Sequence, residues 1–159
     1  MNSLANQIKQ HPFFKDVADQ SIEKIASFSK EVKVEAGEFI FRSGEEAGKF
    51  YLIQQGEVII EIAPTRHSDV SIQSIREGEV LGWSWLIPPF KWQFDAKAVE
   101  LTKAIAIDAQ SLRAFCKQNH AAGYQILTRM IQIVAQRLQA ARTQFWDIYK
   151  MHYFKGNPY

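Results

Sequence analysis

The feature of this sequence that most restricts its fold is a series of short apolar segments separated by glycines between residues 32 and 107. Each segment is rich in β-branched and aromatic residues, which is typical of β-strands. The predicted strands lie at Val32–Glu35, Phe39–Phe41, Phe50–Ile53, Val58–Ile62, Val70–Ile75 and Ala104–Ile107. The glycines fall where tight turns need a positive φ, at Gly37, Gly44, Gly48, Gly56, Gly78 and Gly82. Many short strands joined by glycine turns predict an antiparallel barrel or jelly roll.

Helical periodicity flanks this central part on both sides. Leu4 and Ile8 are four residues apart, and Ile22 and Ile25 then fall on one side of a second helix. The helical period returns at Ser111. We therefore predict a mainly β, α+β fold in which N-terminal helices at 1–30 precede a β-roll at 31–110, C-terminal helices follow at 111–149, and residues 150–159 form a tail.

The long C-terminal helix carries a heptad pattern. Its apolar residues are spaced alternately four and three apart, which is the spacing of a coiled-coil seam. The predicted seam consists of Leu127, Ile131, Val134, Leu138, Ala141, Phe145 and Ile148. A seam this regular predicts a homodimer, and the alternative is one wide stripe that faces the core of a monomer.

Length and cysteine content restrict the class of protein. The chain has 159 residues, which suits a single domain spanning 1–159. Because Cys116 is its one cysteine, an intrachain disulfide is excluded and the reducing cytoplasm is the expected compartment. No apolar run approaches the ~20 residues of a membrane-spanning helix, and the N-terminus has no apolar core of a signal peptide. We expect no membrane partner.

Residues that commonly carry catalysis or bind metals are sparse. None of the four histidines has a second histidine or a cysteine at metal-ligand spacing, so no metal site is predicted. No phosphate-binding glycine loop or nucleophile elbow follows a predicted strand. Cys116 lies among Leu112, Ala114 and Phe115, which favours a packing role over a nucleophilic one. The sequence therefore predicts no catalytic residues.

One stretch has a specific resemblance. Between residues 37 and 58 the sequence is Gly-Glu-Phe-Ile-Phe-Arg-Ser-Gly-Glu-Glu-Ala-Gly-Lys-Phe-Tyr-Leu-Ile-Gln-Gln-Gly-Glu-Val. It resembles the front half of the cyclic nucleotide-binding domain of catabolite-activator/Fnr-type regulators, protein kinase A regulatory subunits and gated channels. The resemblance continues through Arg76–Gly82, Ala96–Val99 and Thr102–Asp108 into the C-terminal helix. It implies an eight-stranded β-roll and a non-catalytic sensor of a small-molecule effector.

In that family a phosphate-binding cassette holds the ligand. The cassette consists of Gly-Glu, a short helix and Arg-Ser/Thr-Ala; backbone N–H groups and the arginine hold the cyclic phosphate, and the glutamate accepts a hydrogen bond from the ribose. Residues 82–96 depart from it, because Trp83 follows Gly82 and Phe90 stands at the arginine position. Lys91 supplies a mobile point charge and not the planar fork of arginine. The resemblance therefore implies weak binding of a cyclic nucleotide, cAMP or cGMP, or binding of a different small ligand.

Aromatic residues take the place of the polar cassette. Either they fill a vestigial pocket as core residues, or they line a modified pocket for an apolar or aromatic ligand. Arg142 is a further candidate because Ala135–Arg142 resembles the family segment whose following turn faces the base; its alternative role is a solvated helix charge. The predicted ligand-binding residues are Gly82, Trp83, Ser84, Trp85, Leu86, Lys91, Trp92, Gln93 and Arg142.

The resemblance also implies that ligand in the roll biases the position of the long helix. Ten residues follow Tyr149, too few for a helix-turn-helix, so we expect signalling to a separate output protein and no direct DNA binding. One alternative is a transcriptional regulator that contacts DNA with its C-terminal helix, since residues 113–155 hold seven of the 19 basic residues and one of the 17 acidic ones. A second is a cupin-like enzyme, which the missing histidine cluster disfavours.

Overall fold

The computed structural model describes residues 2–62 and 70–154. Two short helices come first, α1 (Ser3–Gln10) and α2 (Asp19–Ala26). The strands are β1 (Ser29–Val34), β2 (Phe39–Phe41), β3 (Lys49–Gln55), β4 (Glu57–Ile62), β5 (Val70–Arg76), β6 (Val80–Leu81), β7 (Asp95–Ala98) and β8 (Thr102–Asp108). Two helices follow, α3 (Ala109–Gln118) and α4 (His120–Phe154). This order confirms the predicted mainly β, α+β fold with N-terminal helices and a long C-terminal helix.

The strands form two antiparallel four-stranded sheets with the orders β1–β8–β3–β6 and β2–β7–β4–β5. In the first sheet, β8 lies between β1 and β3, and Ile107 pairs with Phe50. In the second, Lys97 of β7 pairs with Phe39 on one side and with Ile59 on the other. Phe50 and Ile107 of the first sheet are fully buried, as are Val58, Ala96 and Ala98 of the second. This architecture is the eight-stranded β-roll that the resemblance implies.

Two of the eight strands have no apolar pattern of their own. β6 has only two residues, and β7 is Asp-Ala-Lys-Ala, in which alanine, aspartate and lysine are all uncommon in strands. Both pair with neighbours, β6 with β3 and β7 with β2 and β4. Pairing with these neighbours, and not local composition, therefore makes them strands.

The turn glycines largely behave as predicted. Positive φ occurs at Gly37, Gly44, Gly56, Gly78 and Gly82. The prediction is wrong for Gly48, which precedes β3 without taking a positive φ. At Gly56 the backbone itself leaves no space for a side chain, because a Cβ there would lie 2.6 Å from the carbonyl oxygen of Leu101.

Asp108 forms the N-cap of α3. Its Oδ2 accepts hydrogen bonds from the backbone N–H of Ser111 at 3.0 Å and from the Ser111 hydroxyl at 2.8 Å. The Lys49 ammonium lies 3.1 Å from Oδ1. These donors favour the ionised carboxylate, mainly through Ser111, and lower the pKa of Asp108 to about 2.

We expect Asp108→Ala to destabilise the protein at neutral pH by about 1–2 kcal/mol, because the variant loses the cap and its charge-assisted bonds. Since the side chain is 36% exposed, this figure is reduced for solvent screening. The folded-state pKa is depressed, so the contribution is complete above about pH 4 and is lost as the pH falls toward 2. Urea unfolding at pH 7 and pH 3 measures the difference between wild type and variant.

Asp19 provides the control, because it lies in the first turn of α2 without a side-chain cap bond and pairs with Lys9 at the surface. Asp19→Ala should cost under about 1 kcal/mol. A difference between wild type and Asp108→Ala that does not shrink from pH 7 to pH 3 would contradict the assigned ionisation.

The chain divides into two compact units, Met1–Ile126 and Leu127–Tyr159. The single-domain organisation over 1–159 stays a prediction. In the second unit α4 continues to Phe154, past residue 149, where the sequence pattern predicts its end. Across residues 2–62 and 70–154, no helix combines the length and apolar character needed to cross a bilayer.

Candidate ligand-binding site

The site suggested by the sequence is the loop between β6 and β7, residues 82–94, which we call the cassette loop. The chain enters it at Gly82 with φ of 78°. The Trp92 ring lies over Gly82, and a Cβ at position 82 would collide with that ring. Trp92 is 4% exposed and stacks on Phe41, with ring centroids 3.7 Å apart and planes at 4°. Glycine is therefore required at 82 for two reasons, its backbone conformation and the close approach of Trp92.

Trp85 joins the cassette loop to the core of the roll. It is fully buried, and its ring is tilted against that of Phe50 with centroids 4.9 Å apart. Phe50 in turn meets the edge of Phe13 at 5.2 Å. The Trp85 Nε1–H has no hydrogen-bond partner among the described residues. Burying a hydrogen-bond donor without an acceptor costs free energy. An acceptor atom placed beside the Trp85 Nε1–H would therefore be stabilised by a hydrogen bond.

The second half of the cassette loop is held by backbone hydrogen bonds to the turn between β2 and β3. The Ala47 N–H donates to the Phe90 carbonyl at 2.7 Å, and the Trp92 N–H donates to the Glu45 carbonyl at 2.9 Å. The Gly44 N–H donates to the Trp92 carbonyl at 2.8 Å. The last two of these bonds hold the backbone of Trp92 against the turn.

A buried carboxylate supports the same turn. Asp95, the first residue of β7, accepts a hydrogen bond from the Ser43 N–H at 2.7 Å. Its other oxygen lies 3.7 Å from an Arg42 nitrogen, and the Arg42 guanidinium also covers the Phe39 ring at 4.0 Å. No sequence pattern indicates Asp95 or Arg42, because the contacts of Asp95 join segments far apart in the chain.

Arg113 of α3 is a third site residue that no sequence pattern indicates. Its guanidinium lies 4.0 Å from the centroid of the Phe90 ring and donates a hydrogen bond to the Trp85 carbonyl. Phe90 has φ of 56°, unusual for a residue other than glycine. A guanidinium from α3 therefore lies beside Phe90, the residue that stands at the arginine position of the family cassette.

The predicted ligand-binding residues differ in burial. Trp85 and Trp92 are buried; Gly82, Trp83, Ser84 and Leu86 are half-buried; Lys91, Gln93 and Arg142 are exposed. The Gln93 side chain donates to the Lys91 carbonyl at 3.1 Å. Arg142 belongs to the second unit of the chain, so its role at the cassette loop stays a prediction.

Among the described residues, the pKa shifts of Cys116 and His11 do not indicate a catalytic nucleophile or base. Burial raises the pKa of the Cys116 thiol to about 11, so the thiol is protonated and a poor nucleophile at neutral pH. Burial lowers the pKa of His11, whose Nδ1 accepts the Phe13 N–H at 3.2 Å. In residues 2–62 and 70–154, no three histidine, cysteine or acidic side chains come together as a metal site requires.

Solved structures share this architecture. One from Geobacter metallireducens GS-15, described as a cyclic nucleotide-binding protein, is 25% identical, with a TM-score of 0.76 over 87% of this chain and 99% of that one. The sensor domain of the transcriptional regulator DNR from Pseudomonas aeruginosa is 17% identical, with a TM-score of 0.70 over 84% of this chain and 90% of that one.

The sequence itself also matches known proteins. A protein of Rhodopseudomonas palustris described as a potassium channel protein is 28% identical over 111 residues, which are 69% of this chain and 26% of that protein. The chain spans 26% or less of the length of the curated relatives that it matches. The family model of the cyclic nucleotide-binding domain matches residues 31–119. Because that match covers more than half of the chain, from β1 through α3 with the cassette loop between them, the chain belongs to the cyclic nucleotide-binding domain family.

Proposed function

We propose that this chain is a non-catalytic, ligand-sensing regulatory module whose β-roll binds cyclic nucleotides weakly or accepts a different small ligand, and which signals through α4. The observation that carries this proposal is the position of Trp92, whose buried ring lies over Gly82 at the start of the cassette loop. A ribose or phosphate at Gly82 would have to displace this ring from its stack on Phe41. Nucleotide binding is therefore opposed by loss of that stack.

Two charged contacts are also lost, because Trp83 and Phe90 stand where the family resemblance predicts a glutamate and an arginine. A hydrogen bond to a charged group contributes about 1.5–3 kcal/mol, so the two losses together weaken binding by about two orders of magnitude or more. Arg113 restores a guanidinium beside Phe90. The half-buried Phe90 ring beside the Arg113 guanidinium suits a small apolar or aromatic ligand that carries an anionic group.

The seam of α4 supports a homodimer as the signalling unit. Its large apolar residues are 43–70% exposed within one chain: Leu127, Ile131, Leu138, Phe145 and Ile148. A row of this length marks an interaction surface more often than a solvated one. In our proposal the dimer acts in the cytoplasm on a separate output protein, and ligand in the roll changes how α4 is held.

Isothermal titration calorimetry with cAMP and cGMP tests the ligand part of the proposal. We expect dissociation constants weaker than about 100 µM for both nucleotides, because the ring over Gly82 and the two missing charged contacts act in the same direction. Submicromolar affinity for either nucleotide would overturn this part.

Two lysine variants serve as controls if the calorimetry detects a weak heat of binding for either nucleotide. Lys91 is exposed on the cassette loop, whereas Lys97 lies on β7 near the Phe39 ring. If Lys91 holds the phosphate, Lys91→Gln removes the remaining heat and Lys97→Gln does not. Equal effects of the two substitutions would contradict binding at the cassette loop.

A further inference from the structure

The Trp92 ring fills the inside of the roll beside Gly82. It is buried, it stacks on Phe41 of β2, and it leaves no space for even a methyl group at position 82. A ligand that reaches Gly82 must therefore take the place of this ring. Trp92 is thus an occupant of the ligand site that the chain itself supplies.

A short bridged segment connects this ring to a contact with α3. Lys91 pairs with Glu46 in an isolated antiparallel bridge, and backbone hydrogen bonds to the same turn hold the residues on both sides of Lys91. One of those residues is Trp92 and the other is Phe90, whose ring lies 4.0 Å from the Arg113 guanidinium. A displacement of the Trp92 ring that shifts this backbone therefore also shifts Phe90 against Arg113.

Arg113 is the residue through which α3 makes polar contact with the cassette loop. Its guanidinium lies over the Phe90 ring and donates a hydrogen bond to the Trp85 carbonyl, so one side chain contacts the loop at two places. Both contacts are stabilising, because a charged donor strengthens a hydrogen bond and a cation is attracted to the face of an aromatic ring. The other contacts of α3 are apolar, with Leu112 and Phe115 buried.

The end of α3 is joined closely to the beginning of α4. The Asn119 carboxamide oxygen accepts the Ala122 N–H at 3.1 Å, and the Asn119 carbonyl accepts the Gly123 N–H at 2.8 Å. A Cβ at Gly123 would lie 2.6 Å from the carbonyl oxygen of Cys116, so the two helices meet without a side chain between them. A change in how α3 is held therefore reaches the first turns of α4.

From these contacts we infer that Trp92 is a built-in occupant of the ligand site, which keeps the cassette loop against α3 while no ligand is bound. A ligand that enters beside Gly82 displaces the ring and loosens the hold of the loop on α3. The inference rests on the proposed function in taking the roll as the ligand site. It adds the direction of the response and the two side chains that carry it, Trp92 and Arg113.

Amide hydrogen exchange of the full chain tests this connection without any ligand. The measured quantity is the exchange rate of α3 amides divided by that of β3 and β8 amides, which removes the effect of a general loss of stability. We expect Trp92→Ala to raise this ratio about tenfold or more, and Trp92→Phe, which keeps a ring on Phe41, to raise it less than about threefold. Ile75→Ala removes a fully buried side chain of β5 and should leave the ratio unchanged. A ratio that Trp92→Ala does not raise, or that Ile75→Ala raises equally, overturns the inference.

Arg113→Gln tests the other end of the connection. It removes the guanidinium from the cassette loop while the Trp92 ring remains, and it should raise the same ratio about tenfold, because a hydrogen bond from a charged group is lost. Lys117→Gln, at an exposed position of α3, should leave the ratio unchanged. In Trp92→Ala/Arg113→Gln the ratio should stay within about threefold of the larger single effect. Effects that multiply would show two independent contacts and overturn the inference.

The direction of the response is tested with the nucleotides. A cyclic nucleotide that binds in the calorimetry should raise the exchange ratio of the wild type, and a lowered ratio overturns the proposed direction. The calorimetry decides separately whether the roll takes the nucleotide, and the exchange of the variants needs no ligand. A failure of the proposed ligand binding is therefore distinguishable from a failure of the connection between Trp92 and Arg113.

Discussion

Replacing Trp92 by alanine is expected to lower the free energy of unfolding by about 3–5 kcal/mol, the cost of removing a large buried aromatic side chain. The ring is 4% exposed and stacks 3.7 Å from Phe41, and such aromatic pairs add about 0.5–1.5 kcal/mol beyond the area they bury. The backbone on both sides of Trp92 is bonded to Gly44 and Glu45, so the surroundings cannot collapse fully into the space. Urea unfolding followed by circular dichroism measures the loss.

Two further substitutions in the cassette loop serve as controls. Trp83→Ala removes an indole that is only half-buried, and it should cost less than half as much as Trp92→Ala. Trp92→Phe keeps a ring for the stack on Phe41 and should cost about 1–2 kcal/mol. Indole added to the Trp92→Ala protein should raise its unfolding midpoint, since dry cavities take up matching apolar molecules. Equal losses for Trp92→Ala and Trp83→Ala would mean that Trp92 is not a core residue.

The sequence predicts strands whose own residues are apolar, such as Val58–Ile62, because their burial follows from local composition. It does not predict β7, whose alternating alanines are buried by pairing with β2 and β4. The heptad spacing likewise predicts α4 and its seam residues, because that pattern lies within one continuous segment of the sequence. The helix runs on to Phe154, beyond the last residue of the heptad pattern, Ile148.

The site is predictable only in part, since its contacts are long-range. The resemblance locates Gly82 and the cassette loop, but no pattern tells whether the rings there line a pocket or fill it. The burial of Trp85 and Trp92 is a property of the folded roll and favours filling. Arg113 bonds the Trp85 carbonyl across 28 residues, and Asp95 bonds the Ser43 N–H across 52. Residues so far apart in the chain do not form a periodic or motif pattern. Neither contact could therefore be predicted from the sequence.

Gly82→Ala is expected to destabilise the roll by about 2–5 kcal/mol. At φ of 78° an alanine carries backbone strain of about 1–2 kcal/mol. The added methyl group would also collide with the Trp92 ring, and overpacking of this kind costs a further 1–3 kcal/mol or so. Gly44→Ala isolates the first contribution, because Gly44 has φ of 88° and nothing within 4 Å of the position its Cβ would take. Gly44→Ala should therefore cost only about 1–2 kcal/mol.

Combining Gly82→Ala with Trp92→Phe separates the backbone strain at position 82 from the steric collision with the Trp92 ring. Phenylalanine lacks the outer indole atoms Cζ3 and Cη2 that the new methyl group would meet, so the collision is relieved in the double variant. In the Trp92→Phe background we expect Gly82→Ala to cost about as much as Gly44→Ala, which corresponds to a coupling of about 1–3 kcal/mol between positions 82 and 92. Urea unfolding of the four proteins in the cycle measures this coupling. Strictly additive losses would place the Trp92 ring away from Gly82 and remove the main reason for expecting weak cyclic nucleotide binding.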